Sequence, residues 1–208
     1  MEQPETPSFL GVDPGLAVTP EEALRLRAWL SLGEDSGTAL LDGRIVRKAM
    51  GTIEHGAAWG GVFAQLHGLR RPSPGNPGWW LANEPSLYLA GQGTRPDIAG
   101  WRRDRHPQKP RRINVGPHMG VYVTAPDWVC EVLSPSTRSR DEGIKADALH
   151  EAGVEHYWFL DVANRLLSAY RRELKSYALL RAANPGEMVA LPPFESVQWD
   201  IGELFEEE

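Results

Sequence analysis

The sequence VCEVLSPST, Val129–Thr137, is followed at once by a charged run from Arg138 to His150. The first five residues are typical of a buried strand, and the charged run is typical of a helix at the surface. Glu131 lies within the apolar part, where a carboxylate costs free energy unless a partner compensates its charge. We expect that partner to be a metal ion.

Helices and strands are predicted on both sides of this stretch. Thr19, Pro20 and the acids after them predict a helix that begins at Thr19 and ends near Leu32, because they form an N-cap, a first-turn proline and an acidic first turn. The Asp42-Gly43 turn predicts a hairpin over residues 39–47. Further helices are predicted over residues 54–70 and 140–151, and further strands over 79–82, 86–90, 97–101, 120–123, 128–133, 155–162 and 166–170. This order predicts an α/β or α+β fold with a mixed β-sheet flanked by helices and an N-terminal helical and hairpin extension.

The composition favours one globular domain. The chain has 208 residues, of which 41% are hydrophobic, so we expect one domain over residues 19–208 after a flexible segment, residues 1–18. Cys130 is the single cysteine and forms no internal disulfide, and no apolar run approaches the roughly 18 residues of a membrane span. The first residues lack the pattern of a secretory signal. A cytoplasmic protein without a membrane partner is therefore expected.

A basic segment, WRRDRHPQKPRR, contrasts with the net charge of −6 for the whole chain. It admits two interpretations, a solvated loop or a surface that contacts nucleic-acid phosphates. Trp101 at its start could stack on a base, although the eight Trp residues are most simply explained by packing. The candidate DNA contacts are Arg102, Arg103, Arg105, Lys109, Arg111 and Arg112.

Asp97, Glu131 and Lys145 form a candidate chemical site. Two carboxylates on strands can bind Mg²⁺, which takes few protein carboxylates and keeps several waters, and a nearby Lys can neutralise a phosphate. Each residue also has a simpler interpretation. Asp97 could cap a turn after Pro96, Glu131 could pair with a core Arg, and Lys145 could be a solvated helix charge.

Several stretches of the chain form a larger pattern. They are Arg95–Ala99, Cys130–Val162 and Tyr170-Arg171, together with Leu41-Asp42-Gly43 and Glu54-His55-Gly56. Together they resemble the Uma-two family of restriction-type endonucleases, which belongs to the PD-(D/E)XK nuclease superfamily. The resemblance runs from about Ala39 to Arg172.

The resemblance implies a restriction endonuclease-like fold and a metal-dependent endodeoxyribonuclease. It implies that Asp97 and Glu131 hold Mg²⁺ or Mn²⁺ and that Lys145 is the catalytic lysine, since Leu133 stands where the superfamily usually has that lysine. Glu54, His55 and Ser134 are secondary candidates. Superfamily members often act as dimers, so a homodimer on DNA is a further expectation.

Two other classes remain open. A nuclease fold without catalytic activity could serve as a nucleic-acid or protein binding module, with salt-dependent DNA binding that Mg²⁺ does not affect. A structural protein whose acids form internal salt bridges would have no affinity for DNA.

Overall fold

The computed structural model describes residues 16, 18–33, 36–47, 52–116, 119–133 and 143–205. Within these residues the helices are α1 (Pro20–Leu30), α2 (Ile53–Leu66) and α3 (Ile144–Glu151), with short 3-10 turns at His67–Arg70 and Gly202–Leu204. The strands are β1 (Thr38–Leu41), β2 (Arg44–Arg47), β3 (Trp79–Asn83), β4 (Leu87–Leu89), β5 (Gln92–Thr94), β6 (Ile98–Arg102), β7 (Arg112–Gly116), β8 (Met119–Tyr122), β9 (Trp128–Leu133), β10 (His156–Asp161), β11 (Leu166–Arg172), β12 (Tyr177–Ala183), β13 (Met188–Leu191) and β14 (Phe194–Asp200).

The strands form two six-stranded sheets and one separate hairpin. The first sheet has the order β2-β1-β5-β4-β8-β7, and the second sheet has the order β12-β11-β10-β9-β6-β3. One pair in each sheet is parallel, β4 with β8 and β9 with β10, while the other pairs are antiparallel. Both sheets are therefore mixed, and β13 pairs with β14 alone.

Helix α1 covers the first sheet. Thr19 and Glu22 form a capping box at its start, with Pro20 in the first turn, and this fixes where the helix begins. Its buried residues Leu26 and Trp29 pack with Leu40 of β1 and Val121 of β8. The predicted helix and hairpin extension is thus present, although α1 ends at Leu30 rather than near Leu32.

Strand β9 lies in the middle of the second sheet, and all six of its residues are buried. Both faces of the sheet are covered, which explains why the strand is almost continuously apolar rather than alternating. One face packs against α2 and the β13–β14 hairpin, and the opposite face packs against α3.

An aromatic cluster fixes β9 from the α2 side. Trp128 of β9 makes edge contacts with Trp158, at 5.4 Å between ring centroids, and with Phe194, at 4.9 Å. Such pairs each contribute about 0.5–1.5 kcal/mol beyond the burial of their surface. This packing holds the strand that carries Glu131 on the face opposite the Glu131 side chain.

Several elements differ from the sequence-based expectation. The helix predicted over residues 54–70 is α-helical only to Leu66 and finishes as the 3-10 turn. The helix predicted from residue 140 is described from Ile144, and residues 134–142 lie outside the description. Strands β5, β7, β12, β13 and β14 were not predicted. The predicted flexible N-terminal segment also falls almost wholly outside the described residues, so it stays a prediction, as does the single domain.

None of the helices in the described part of the chain has the length and apolar character that crossing a bilayer requires.

Candidate active site

Glu131 lies on β9, and Asp97 directly precedes the neighbouring strand β6. Their side chains face the same side of the second sheet. Ile98 pairs with Cys130 in the antiparallel register of β6 and β9, so Asp97, one residue earlier, stands opposite Glu131. Side chains alternate between the two faces of a strand, and the two acids share the face that α3 covers. They are 1% and 0% exposed.

Lys145 of α3 lies over the same face of the sheet and contacts Glu131. Its Nζ forms an ion pair with Oε1 of Glu131, and its side chain is 4% exposed. Glu131 is thus paired with a lysine from the next helix. Lys145 is not a solvated helix charge, because α3 directs it into the protein.

Both the carboxylate and the backbone carbonyl of Asp97 accept hydrogen bonds. Its Oδ2 accepts a 2.6 Å hydrogen bond from the backbone N–H of Val132, which is a strong contact because the acceptor is charged. Its carbonyl oxygen accepts from Nε1 of Trp59 at 3.3 Å and from the backbone N–H of Glu84 at 3.0 Å. His55 Nε2 lies 3.5 Å from the same Oδ2. Asp97 therefore links β6, β9 and α2, which is more than the cap of a turn.

The local electrostatics reflect the two buried acids. The pKa of the Cys130 thiol is raised well above its ordinary value, first by burial and then by the charges of Asp97 and Glu131. Negative charge at a buried position favours the approach of a cation, because little water is present to screen it. Lys145 supplies one such cation.

A metal at this place would bind through few protein groups. Among the residues that the structure describes, no three His, Cys, Asp or Glu side chains lie close enough to hold one ion together. Asp97 and Glu131 offer carboxylate oxygens, the ligand type that Mg²⁺ prefers, and Mg²⁺ commonly completes its shell with water. The donor set therefore fits Mg²⁺ and does not fit a zinc site of nitrogen and sulfur ligands.

The secondary candidates have different positions. His55, on the first turn of α2, contacts Asp97, as described above. Glu54 beside it is exposed, and a hydrogen bond from the Thr52 side chain lowers the pKa of its carboxyl. Ser134 lies outside the described residues.

The basic segment is more ordered than a solvated loop, and some of its charged side chains are already paired with acids. Arg102 donates to both carboxylate oxygens of Asp104, and Arg105 forms ion pairs with Asp127 and Glu155 at 2.8 and 2.7 Å. Three acids therefore offset part of its positive charge.

The other basic residues of the segment lie in varied settings. Arg103 stacks over the Trp80 ring at 3.6 Å, and Arg112 begins β7 and donates to the carbonyl of Gly120. Lys109 and Arg111 have exposed side chains. The expectation that Trp101 could stack on a base is wrong, because its ring is buried and its Nε1 donates to the carbonyl of Thr124.

The segment also lies at a distance from the acids. Asp97 directly precedes β6 and Arg102 ends it, and five residues of extended strand span about 17 Å. The basic segment and the two buried carboxylates therefore lie apart along the second sheet.

Sequence reasoning missed two contributors to the site, Trp59 and the backbone amide of Val132. Trp59 follows His55 by four residues, which places both on one side of a helix. That spacing was a usable signal once the helix was predicted. The Val132 amide carried no signal, because only the register of β6 and β9 brings it to Asp97.

Comparisons with known proteins agree with this architecture. The model of the Uma2 family, with the description "Putative restriction endonuclease", matches residues 20–202. Among solved structures, the crystal structure of a "putative nuclease" from Anabaena variabilis ATCC 29413 is similar, with a TM-score of 0.67 and 22% identity over 86% of this chain and 96% of that one. At that identity the likeness concerns the fold. A search of curated proteins finds no match. Because the family model spans most of its length, the chain belongs to the Uma2 family, and it has a mixed α/β, nuclease-like fold.

Proposed function

We propose that this protein is a Mg²⁺-dependent endonuclease that hydrolyses phosphodiester bonds of DNA. The observation that carries the proposal is the group of Asp97 and Glu131, opposite each other on one face of the sheet, with Lys145 on Glu131. Membership of a family described as restriction endonucleases supports a nucleic-acid substrate.

Each residue of the group has a distinct role in this proposal. When bound, Mg²⁺ or Mn²⁺ lowers the pKa of a coordinated water and neutralises charge on the attacked phosphate. Asp97 and Glu131 would hold the ion with their carboxylate oxygens, and the Val132 amide keeps Asp97 oriented. Lys145 carries a fixed positive charge beside Glu131, where it can stabilise the negative charge that develops on the phosphate.

The basic segment would bind the DNA backbone. Its free positive charge is smaller than its composition suggests, because Asp104, Asp127 and Glu155 pair with two of its arginines. We therefore assign a larger part of the contact to Lys109 than to Arg105. A second copy of the chain would supply the second cut in a duplex, so we propose a homodimer on DNA.

Cleavage of supercoiled plasmid tests the proposal. We expect nicking with Mg²⁺ or Mn²⁺ that stops with EDTA and is lost in Asp97→Asn and Glu131→Gln. Glu151→Gln, an exposed acid on the same helix as Lys145, is the matched control and should nick like the wild type. Nicking that survives Glu131→Gln, or no nicking with either metal, would overturn the proposal.

One observation favours a second candidate, a catalytically inactive nuclease fold that serves as a nucleic-acid or protein binding module. The two carboxylates are almost fully buried, and Lys145 already compensates the charge of Glu131 without a metal. This candidate predicts DNA binding that weakens with salt and is unchanged by Mg²⁺ or by Glu131→Gln. Binding measured with and without Mg²⁺ separates it from the nuclease.

A further inference from the structure

We infer that His55 and Trp59 of α2 are positioning residues that hold Asp97 in the orientation needed to bind the divalent cation. This inference rests on the proposed function and deepens it. It gives the secondary candidate His55 a specific role, and it adds Trp59 to the site.

Both side chains reach Asp97 from one helix face. They are four residues apart, so they lie one above the other along α2. His55 Nε2 is 3.5 Å from Oδ2 of Asp97, and Trp59 Nε1 donates to its carbonyl oxygen at 3.3 Å. One residue thus holds the side chain and the other holds the backbone.

The helix is a firm support for these contacts. Ala58, Val62 and Leu66 of α2 are fully buried in the core on the opposite face of the second sheet. The His55 and Trp59 contacts therefore tie Asp97 to a rigid element, and groups around metal ligands typically act in this way.

The simpler role of capping a helix does not account for the His55 side chain. The cap is made by the backbone N–H of His55, which donates to Oγ1 of Thr52 at 3.3 Å. The imidazole takes no part in it. It is only 19% exposed and is directed at an acid that is 1% exposed.

Packing alone does not account for Trp59 either. Its ring packs against Phe63 at 5.3 Å between centroids, and a phenylalanine could keep that contact. A phenylalanine ring has no N–H, so it could not donate to the Asp97 carbonyl as the indole does. Trp59→Phe therefore separates the packing role from the positioning role.

Binding of Mn²⁺, measured by electron paramagnetic resonance, tests the inference without any activity assay. We expect His55→Ala to weaken Mn²⁺ binding by about tenfold, at the lower end of what partners of metal ligands contribute. His55→Gln, which places a side-chain nitrogen at a similar reach from the helix, should recover most of the affinity. Trp59→Phe should also weaken binding. His67→Ala, at the exposed end of the same helix, should bind like the wild type.

The amide proton of Val132 gives a second measurement that needs no metal. Its 2.6 Å hydrogen bond to Asp97 places its NMR resonance downfield, and a loosened Asp97 should move it upfield in His55→Ala and Trp59→Phe.

The outcomes separate the two proposals. If the wild type binds Mn²⁺ and His55→Ala and Trp59→Phe bind it equally well, the inference is wrong and the metal site stands. If the wild type binds no Mn²⁺, the proposed metal site is wrong. The Val132 resonance then decides whether α2 positions Asp97, and an unmoved resonance in both variants overturns that role.

Discussion

Replacing Lys145 by Met leaves the Glu131 carboxylate buried without its cation. The two side chains are 4% and 0% exposed, so water cannot take the place of the lost ammonium. Removing one partner of such a pair costs about 3–5 kcal/mol of the free energy of unfolding. Since about 5–15 kcal/mol stabilises a typical domain, this is a large share of the total.

The expected shift in melting temperature follows from the size of the chain. Each kcal/mol lowers Tm by about 2–4 °C in a protein of this length, so Lys145→Met should lower it by roughly 6–20 °C. Glu131→Gln should cost a similar free energy, because it removes the carboxylate that forms an ion pair with the buried Lys145 ammonium.

The double variant Glu131→Gln, Lys145→Met removes both charges and should recover most of the lost stability. Replacing a whole buried pair by uncharged groups of similar volume is often close to neutral. We therefore expect the two substitutions to be non-additive by about 3 kcal/mol or more.

Urea unfolding, followed by the fluorescence of the buried tryptophans, measures all three variants. The control is Lys175→Met, which removes an exposed lysine from a turn and should change stability by less than about 0.5 kcal/mol. A buried, charge-compensating pair is contradicted if Lys145→Met is no more destabilising than Lys175→Met, or if the double variant loses the sum of the two single losses.

Three further predictions concern other parts of the molecule. Gly60→Ala should stabilise α2 by about 0.5–1 kcal/mol because its site is open, whereas the neighbouring Gly61→Ala should destabilise by about 1–3 kcal/mol because its Cβ would lie 2.6 Å from the Glu203 carbonyl oxygen. Equal effects in urea unfolding would contradict the packing of α2 on the C-terminal turn. Burial raises the pKa of Cys130, so a thiol reagent applied at a pH near the ordinary thiol pKa of about 8.5 should modify the protein only after unfolding. Rapid reaction of the folded protein would contradict the burial of Cys130. Lys109→Ala should reduce DNA affinity and lower the slope of log binding constant against log salt concentration by about 0.9. Arg105→Ala should weaken DNA binding less, because two acids hold that guanidinium. A larger loss of affinity in Arg105→Ala than in Lys109→Ala would contradict the proposed DNA contact of Lys109.

The buried strand could be predicted because its pattern is local. An apolar run of strand length around Glu131 indicates burial on both faces, and Trp128–Leu133 has the bounds that the pattern predicts. The hairpin around Asp42-Gly43 was equally accessible and is confirmed by β1 and β2. In both cases neighbouring residues alone determine the structure.

The C-terminal strands could not be predicted in the same way. In β12, Leu179, Leu180 and Arg181 are exposed in succession, and the register of β12 against β11 shifts near Ala169, so alternation is lost. A short apolar run without period two does not distinguish a strand from a helix.

The partners of the charged residues depend on distant parts of the chain. The sequence indicates that Glu131 needs a partner, but Lys145 is that partner only because α3 crosses the face that β9 presents. Likewise, the basic segment resembled a free loop because Asp127 and Glu155, which hold Arg105, come from elsewhere in the sequence. Such contacts depend on how distant parts of the chain pack together, which the spacing of residues in the sequence does not reveal.

A crystal soaked in Ca²⁺ or Mn²⁺ and measured for anomalous scattering shows whether Asp97 and Glu131 bind a metal. We predict one ion within about 2.0–2.6 Å of a carboxylate oxygen from both Asp97 and Glu131. An intact ion pair between Glu131 and Lys145, with no ion at the two carboxylates, would contradict the claim that this protein carries a metal-dependent nuclease centre.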